Sequence, residues 1–198
     1  MIPRRLAWLQ AVTLCWMTLE CALSLLAAVR SHSVALGVFG SDSLIELLSA
    51  VVVLLQFLPG FPLGRRAAER IAAGLLVLLA CAVIAISIVK WGYAVENSSL
   101  GIAITALALV AMPVLAALKR TEARRLGNRV LAADAAQSAT CAWLAAVTLA
   151  GLAAHAVWGI DWVDSAAALI AVPILAVEAR NTWRGESCGC CASHGACS

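Results

Sequence analysis

Apolar stretches parted by short charged or turn-forming segments run through the whole chain, and no other feature limits its fold as strongly. Six such stretches run from Leu6 to Val29, Ser33 to Leu58, Ile71 to Val89, Leu100 to Leu118, Val130 to Val157 and Trp162 to Val177. An α-helix needs roughly 20 residues to cross a hydrocarbon core of about 30 Å, a length that all but the last reach comfortably. Backbone polar groups in lipid must be satisfied internally, which makes helices the natural spanning element here. Composition agrees, because 63% of the residues are apolar and 13% charged, with a mean hydropathy of +0.95, outside the range of soluble domains. The reading is an all-α membrane protein, a six-transmembrane-helix bundle over residues 1–185 with a short Cys-rich tail at 186–198. A signal peptide has only about 7 to 15 apolar residues, so the longer first stretch, which contains Glu20, is expected to be retained.

Charge sets the expected orientation. Of the 14 Lys and Arg, only Arg30 and Lys90 fall on one side of a six-span arrangement, leaving twelve on the other, and such a bias marks the cytosolic face. Both termini are therefore expected in the cytosol. The net charge of +3 resides in these connecting segments and predicts no nucleic-acid partner. Trp8, Trp91, Trp158, Trp162 and Trp183 fall near segment ends, where amphipathic rings suit the headgroup level. "PGFPLGRR" and "WGID" read as turns between stretches. Asp161 and Asp164 flank Trp162, and capping the last helix accounts for one of them.

Against this background "GSDSLIELLSA", residues 40–50, stands out, because Asp42 and Glu46 lie four residues apart and so on one face of a helix. At about 1.5 Å per residue from Ser33 they lie roughly 14 and 20 Å into the core. An acidic group at such depth costs about 2.5 to 3.5 kcal/mol unless it is protonated, paired or in contact with water. No Lys or Arg is expected at that depth, which leaves a mobile cation, a proton or a metal ion, as the partner. Gln137 and Cys141 repeat the four-residue spacing in the fifth stretch, roughly 11 and 17 Å from the opposite surface. Antiparallel pairing would set Cys141 beside Asp42 and Gln137 beside Glu46, and carboxylate oxygens with a thiolate suit a tetrahedral divalent ion such as zinc. Asp134 is a candidate entrance group, and Glu20 a proton-linked group or outer ligand. In the tail, Cys188, Cys190, Cys191, His194 and Cys197 form a second candidate site for soft metals such as Cu(I) or Zn(II).

Three segments, "SVALGVFGSDSLIELLSA", "AADAAQSATCAW" and "WVDSAAALIAVPILAVEARNTWRG", carry a resemblance to the cation diffusion facilitator family, extending from about Thr13 to Gly185. The resemblance implies six membrane helices, a transported ion bound by Asp42, Glu46, Gln137 and Cys141, and a nearby acidic group at Asp134. Family members commonly have His and Asp where this chain has Gln137 and Cys141, and Asp at position 46, so a softer or different ion is expected. The family's cytosolic domain is expected to be absent, with only the Cys-rich tail after the sixth helix. A homodimer is one arrangement that the resemblance allows.

The function expected from these features is secondary active export of a divalent or soft heavy-metal cation, Zn, Cd or Co in kind, by proton antiport across a bacterial inner or plasma membrane. No enzyme activity and no resident cofactor are expected; the partners are the metal cation, protons and the bilayer. Two alternatives are a membrane-bound metal-binding or delivery protein without transport, and a proton-coupled exporter of organic cations built on Glu20.

Overall fold

A computed structural model describes residues 4–55, 65–127 and 129–184. They form helices α1 (Arg4–Ser31), α2 (Val34–Leu55), α3 (Arg65–Val89), α4 (Ser99–Leu126), α5 (Arg129–Trp158) and α6 (Trp162–Arg184), with no strand among the described residues. By length and composition α1, α3, α4, α5 and α6 each contain a stretch apolar enough to cross a membrane. The surface supports the same conclusion, because Leu107, Val110, Ile170, Ile88 and Val177 are exposed whereas Glu20, Asp42, Glu46, Lys119 and Glu178 are buried. Water would reverse that distribution; an apolar solvent favours it. Among the described residues the fold is all-helical, and the molecule is a membrane protein.

Two helices run well past the C-terminal ends of their apolar stretches. α4 continues through Lys119 to Leu126, where Gly127 closes it in the left-handed conformation at φ 58° and donates its N–H to the Ala123 carbonyl. α6 continues through Glu178 to Arg184 for 23 residues, about 34 Å of helix and enough to span a hydrocarbon core. Pro113 and Pro173 lie inside α4 and α6 without ending them.

α2 packs against α1, α3, α5 and α6, so its polar residues face protein on several sides. Small residues permit these approaches. A Cβ on Gly40 would lie 2.6 Å from Ser24 Oγ of α1, and one on Gly151 of α5 2.6 Å from the Ala167 Cβ of α6.

The α1–α2, α3–α4 and α5–α6 connections meet at one end of the bundle, and polar groups pin that end. The Asp164 carboxylate, in the first turn of α6, accepts from Ser33 Oγ at 2.5 Å and from the Val34 N–H at 2.6 Å, while Ser33 Oγ accepts from the Leu36 N–H at 3.1 Å. Asp164 therefore caps α2, because tertiary packing brings the N-terminus of α2 beside it. Asp161 Oδ1 accepts from the Val95 N–H at 3.2 Å, Glu96 N–H donates to the Ser31 carbonyl at 2.9 Å, and Trp91 stacks on Trp162 with centroids 6.0 Å apart. A cavity of about 250 Å³ at this end is lined by residues including His32, Lys90, Tyr93 and Asp164, and none of Glu20, Asp42, Glu46 and Glu178 borders it.

Candidate functional site

Glu20 of α1 is held by three side chains. Its Oε1 accepts from Ser43 Oγ of α2 at 2.8 Å and from Cys141 Sγ of α5 at 3.5 Å, and its Oε2 accepts from Trp16 Nε1 one turn earlier at 2.6 Å. Three helices thus converge on one carboxylate. Cys141 is fully buried, and its sulfur also lies 3.9 Å from Ser43 Oγ. The thiol contacts Glu20 and Ser43, and stands within electrostatic reach of Asp42 and Glu46. Gln137, one turn away from Cys141, is half-buried.

Asp42 and Glu46 occupy one face of α2 at 0% and 4% exposure. Both carboxylate oxygens of Asp42 and Oε1 of Glu46 are buried without a hydrogen-bond partner. A third acid joins them from α6: Glu178 is buried and its Oε2 is likewise unpartnered. Counting from the Asp164–Val34 contact, Asp42 and Glu46 lie about 12 and 18 Å along α2, and Glu178 about 21 Å along α6, so the three occupy neighbouring levels. Each lies within electrostatic reach of at least one of the others. Withdrawing a charged group from water without a partner costs on the order of several kcal/mol, so the group as a whole calls for compensating positive charge.

Sequence reasoning missed Glu178. It stands fourteen residues after Asp164, just under four helical turns, on the buried stripe formed by Asp164, Ala168, Ala171, Leu175 and Glu178. That periodicity was the available signal. Ending the sixth stretch at Val177 assigns the next residue to a loop, whereas the helix continues and turns it inward.

Lys119 is a buried basic residue that hydropathy assigns to a connecting segment. It is fully buried on α4, and its Nζ donates to Asp134 Oδ1 at 2.8 Å and to Ser138 Oγ at 2.9 Å, both on α5. Asp134 Oδ2 also accepts from Gln10 Nε2 of α1 at 3.1 Å. The candidate entrance group is thus an ion-pair partner. Lys119 lay one residue beyond the apolar stretch ending at Leu118, and its long stem permits burial where hydropathy alone marks a loop.

Among the described residues, no three His, Cys, Asp or Glu side chains converge closely enough to hold a metal ion. The interior acids share one region but are not gathered about a single point. Cys188, Cys190, Cys191, His194 and Cys197 lie outside the described residues. In comparison with known proteins, the sequence matches no protein-family model and has no significant match among curated proteins.

Proposed function

We propose that this protein is a secondary transporter that exports a divalent metal cation in exchange for protons, by alternating access around the carboxylates of α2 and α6. One observation carries the reading: both oxygens of Asp42 are buried and unpartnered beside the similarly unpartnered Glu46 and Glu178. A divalent ion neutralises two such carboxylates on loading, and protons compete for the same lone pairs on return. Cargo would draw α2 and α6 together, assembling donors that this conformation leaves apart. The donor set is rich in oxygen, and its thiol, Cys141, is engaged by Glu20; that balance favours zinc, cobalt or manganese over Cu(I). The acidic pair on α2 supports placement with the cation diffusion facilitators, with six spans, cytosolic termini and a cell-membrane location.

The test is transport by the purified protein in proteoliposomes, offered Zn, Cd, Co, Mn, Fe and Cu ions while internal pH is read. Wild type should move at least one divalent ion with opposite proton flux, and Asp42→Asn should not. Full transport by Asp42→Asn, or no ion movement by wild type, would contradict the proposal. The indole N–H of Trp16 donates to the Glu20 carboxylate, which favours a second reading, export of a lipophilic organic cation, because an aromatic ring and an acid side by side suit such cargo. Ethidium transport that survives Asp42→Asn and is lost in Glu20→Gln would favour that reading instead.

A further inference from the structure

The cavity at the pinned end of the bundle stands apart from the interior carboxylates and has a chemistry of its own. Its volume is about 250 Å³, room for about eight waters at roughly 30 Å³ each and so for a phosphodiester with the carbons on either side. The α1–α2 connection contributes His32 to its wall, the α3–α4 connection Lys90 and Tyr93, and the start of α6 Asp164 and Ser165. Lys90, His32 and Tyr93 can each donate a hydrogen bond, and among the described residues none of these three side chains has a protein partner. Among the described residues that line the cavity Asp164 is the one acid, and its oxygens are taken. Oδ1 accepts from Ser33 Oγ, and Oδ2 from the N–H groups of Val34 at 2.6 Å and Ala35 at 3.4 Å. Asp161, on the Val95 N–H, and Glu96 lie outside the lining. The wall therefore presents free donors and one unopposed ammonium, a pattern that selects an oxyanion over a cation.

Its level in the bilayer says which oxyanion. Trp91, Tyr93, Trp158 and Trp162 are exposed at this end, and such amphipathic rings mark the headgroup region, where phosphate is carried by phospholipids. A zwitterionic headgroup would bring an ammonium as well, and the wall has no free carboxylate to receive it. We infer that the cavity binds the phosphate of an anionic phospholipid, with Lys90, His32 and Tyr93 as its donors. Held between the α1–α2 and α3–α4 connections, the phosphate ties two hairpins together. The site needs only the membrane placement of the bundle and stands whether or not the protein transports a cation.

Purified wild type, stripped of lipid by detergent exchange, should take up phosphatidylglycerol at one saturable site when the lipid is titrated back and adducts are counted by native mass spectrometry. Its melting temperature should rise over the same concentrations. Diacylglycerol with the same chains, which lacks the phosphate, should do neither, and phosphatidylethanolamine should bind more weakly. Lys90→Gln should weaken phosphatidylglycerol binding about tenfold, the loss of one charge-assisted hydrogen bond, and Lys90→Arg should restore most of it. Arg30→Gln removes a neighbouring base that is exposed and outside the lining, and should bind as wild type does. His32→Gly suits the left-handed backbone at φ 56°, so it should fold well and bind less tightly. Equal binding of diacylglycerol, or equal losses in Lys90→Gln and Arg30→Gln, would mean attraction to the apolar surface or to surface charge in general and would overturn the inference. Displacement of the lipid by glycerol phosphate at the same concentration would assign the cavity to a soluble phosphate and overturn the lipid assignment. Should Lys90→Gln fail to fold, wild-type affinity in His32→Gly overturns the inference alone.

Discussion

Asp164 and Asp42 are the same residue type, both deeply buried, yet one has a full set of partners and the other none. Asp164, at the pinned end, accepts from Ser33 Oγ and from backbone N–H groups at the start of α2. Asp42, eight residues further along α2, has two oxygens with no partner. The first is an acid used as structure, its charge spread over donors that the fold supplies. The second needs a donor or cation that the hydrogen bonds of the fold do not supply, and the transport proposal rests on that lack. Burial is common to both acids; hydrogen-bond satisfaction is what separates them.

The sharpest break of this contrast is a paired substitution. Asp42→Asn should reduce transport by about 100-fold, the upper end of the loss that changing even an outer partner of a metal ligand causes, without lowering thermal stability, since a neutral amide is easier to bury than an unpaired carboxylate. Asp164→Ala should do the reverse: on the order of 2 kcal/mol of stability lost, because a buried N–H and a hydroxyl lose their acceptor, with transport per folded molecule retained. Equal effects on both readouts at both positions would dissolve the distinction. Glu178→Gln should weaken cation affinity about tenfold, at the lower end of the loss typical for groups supporting a metal site; wild-type affinity there would remove α6 from the site. Cys141→Ser should have the smallest effect, a few-fold shift in preference from Cd²⁺ toward Mn²⁺ measured by competition, because the thiol faces Glu20 and a hydroxyl can replace its hydrogen bond.

The acids on α2 were legible because a carboxylate inside an apolar run is conspicuous in any window. Lys119 and Glu178 were not, and for a shared reason: each immediately follows the last apolar residue of its stretch, Leu118 and Val177. A charged residue at a segment edge reads as the start of a loop, although helices in membranes continue past the hydrocarbon boundary and can turn such residues inward. The wheel position of Glu178 relative to Asp164 carried the missing information; length and hydropathy did not. Cys141 shows a different limit. Its spacing from Gln137 revealed a shared face, but helix rotation decides which neighbour that face meets, and here the thiol contacts Glu20 and Ser43. Asp164 shows the same limit from the other side, since nothing in "WVDSAAA" discloses that the α2 N-terminus packs against it.

Equilibrium binding of divalent ions to the purified protein, by titration calorimetry on wild type and Asp42→Asn side by side, tests the central claim most directly. The account predicts saturable binding of at least one divalent cation by wild type that disappears in the folded variant. Equal binding by the two proteins, or none by wild type, would mean that the unpaired carboxylates of α2 are not where a cation is held.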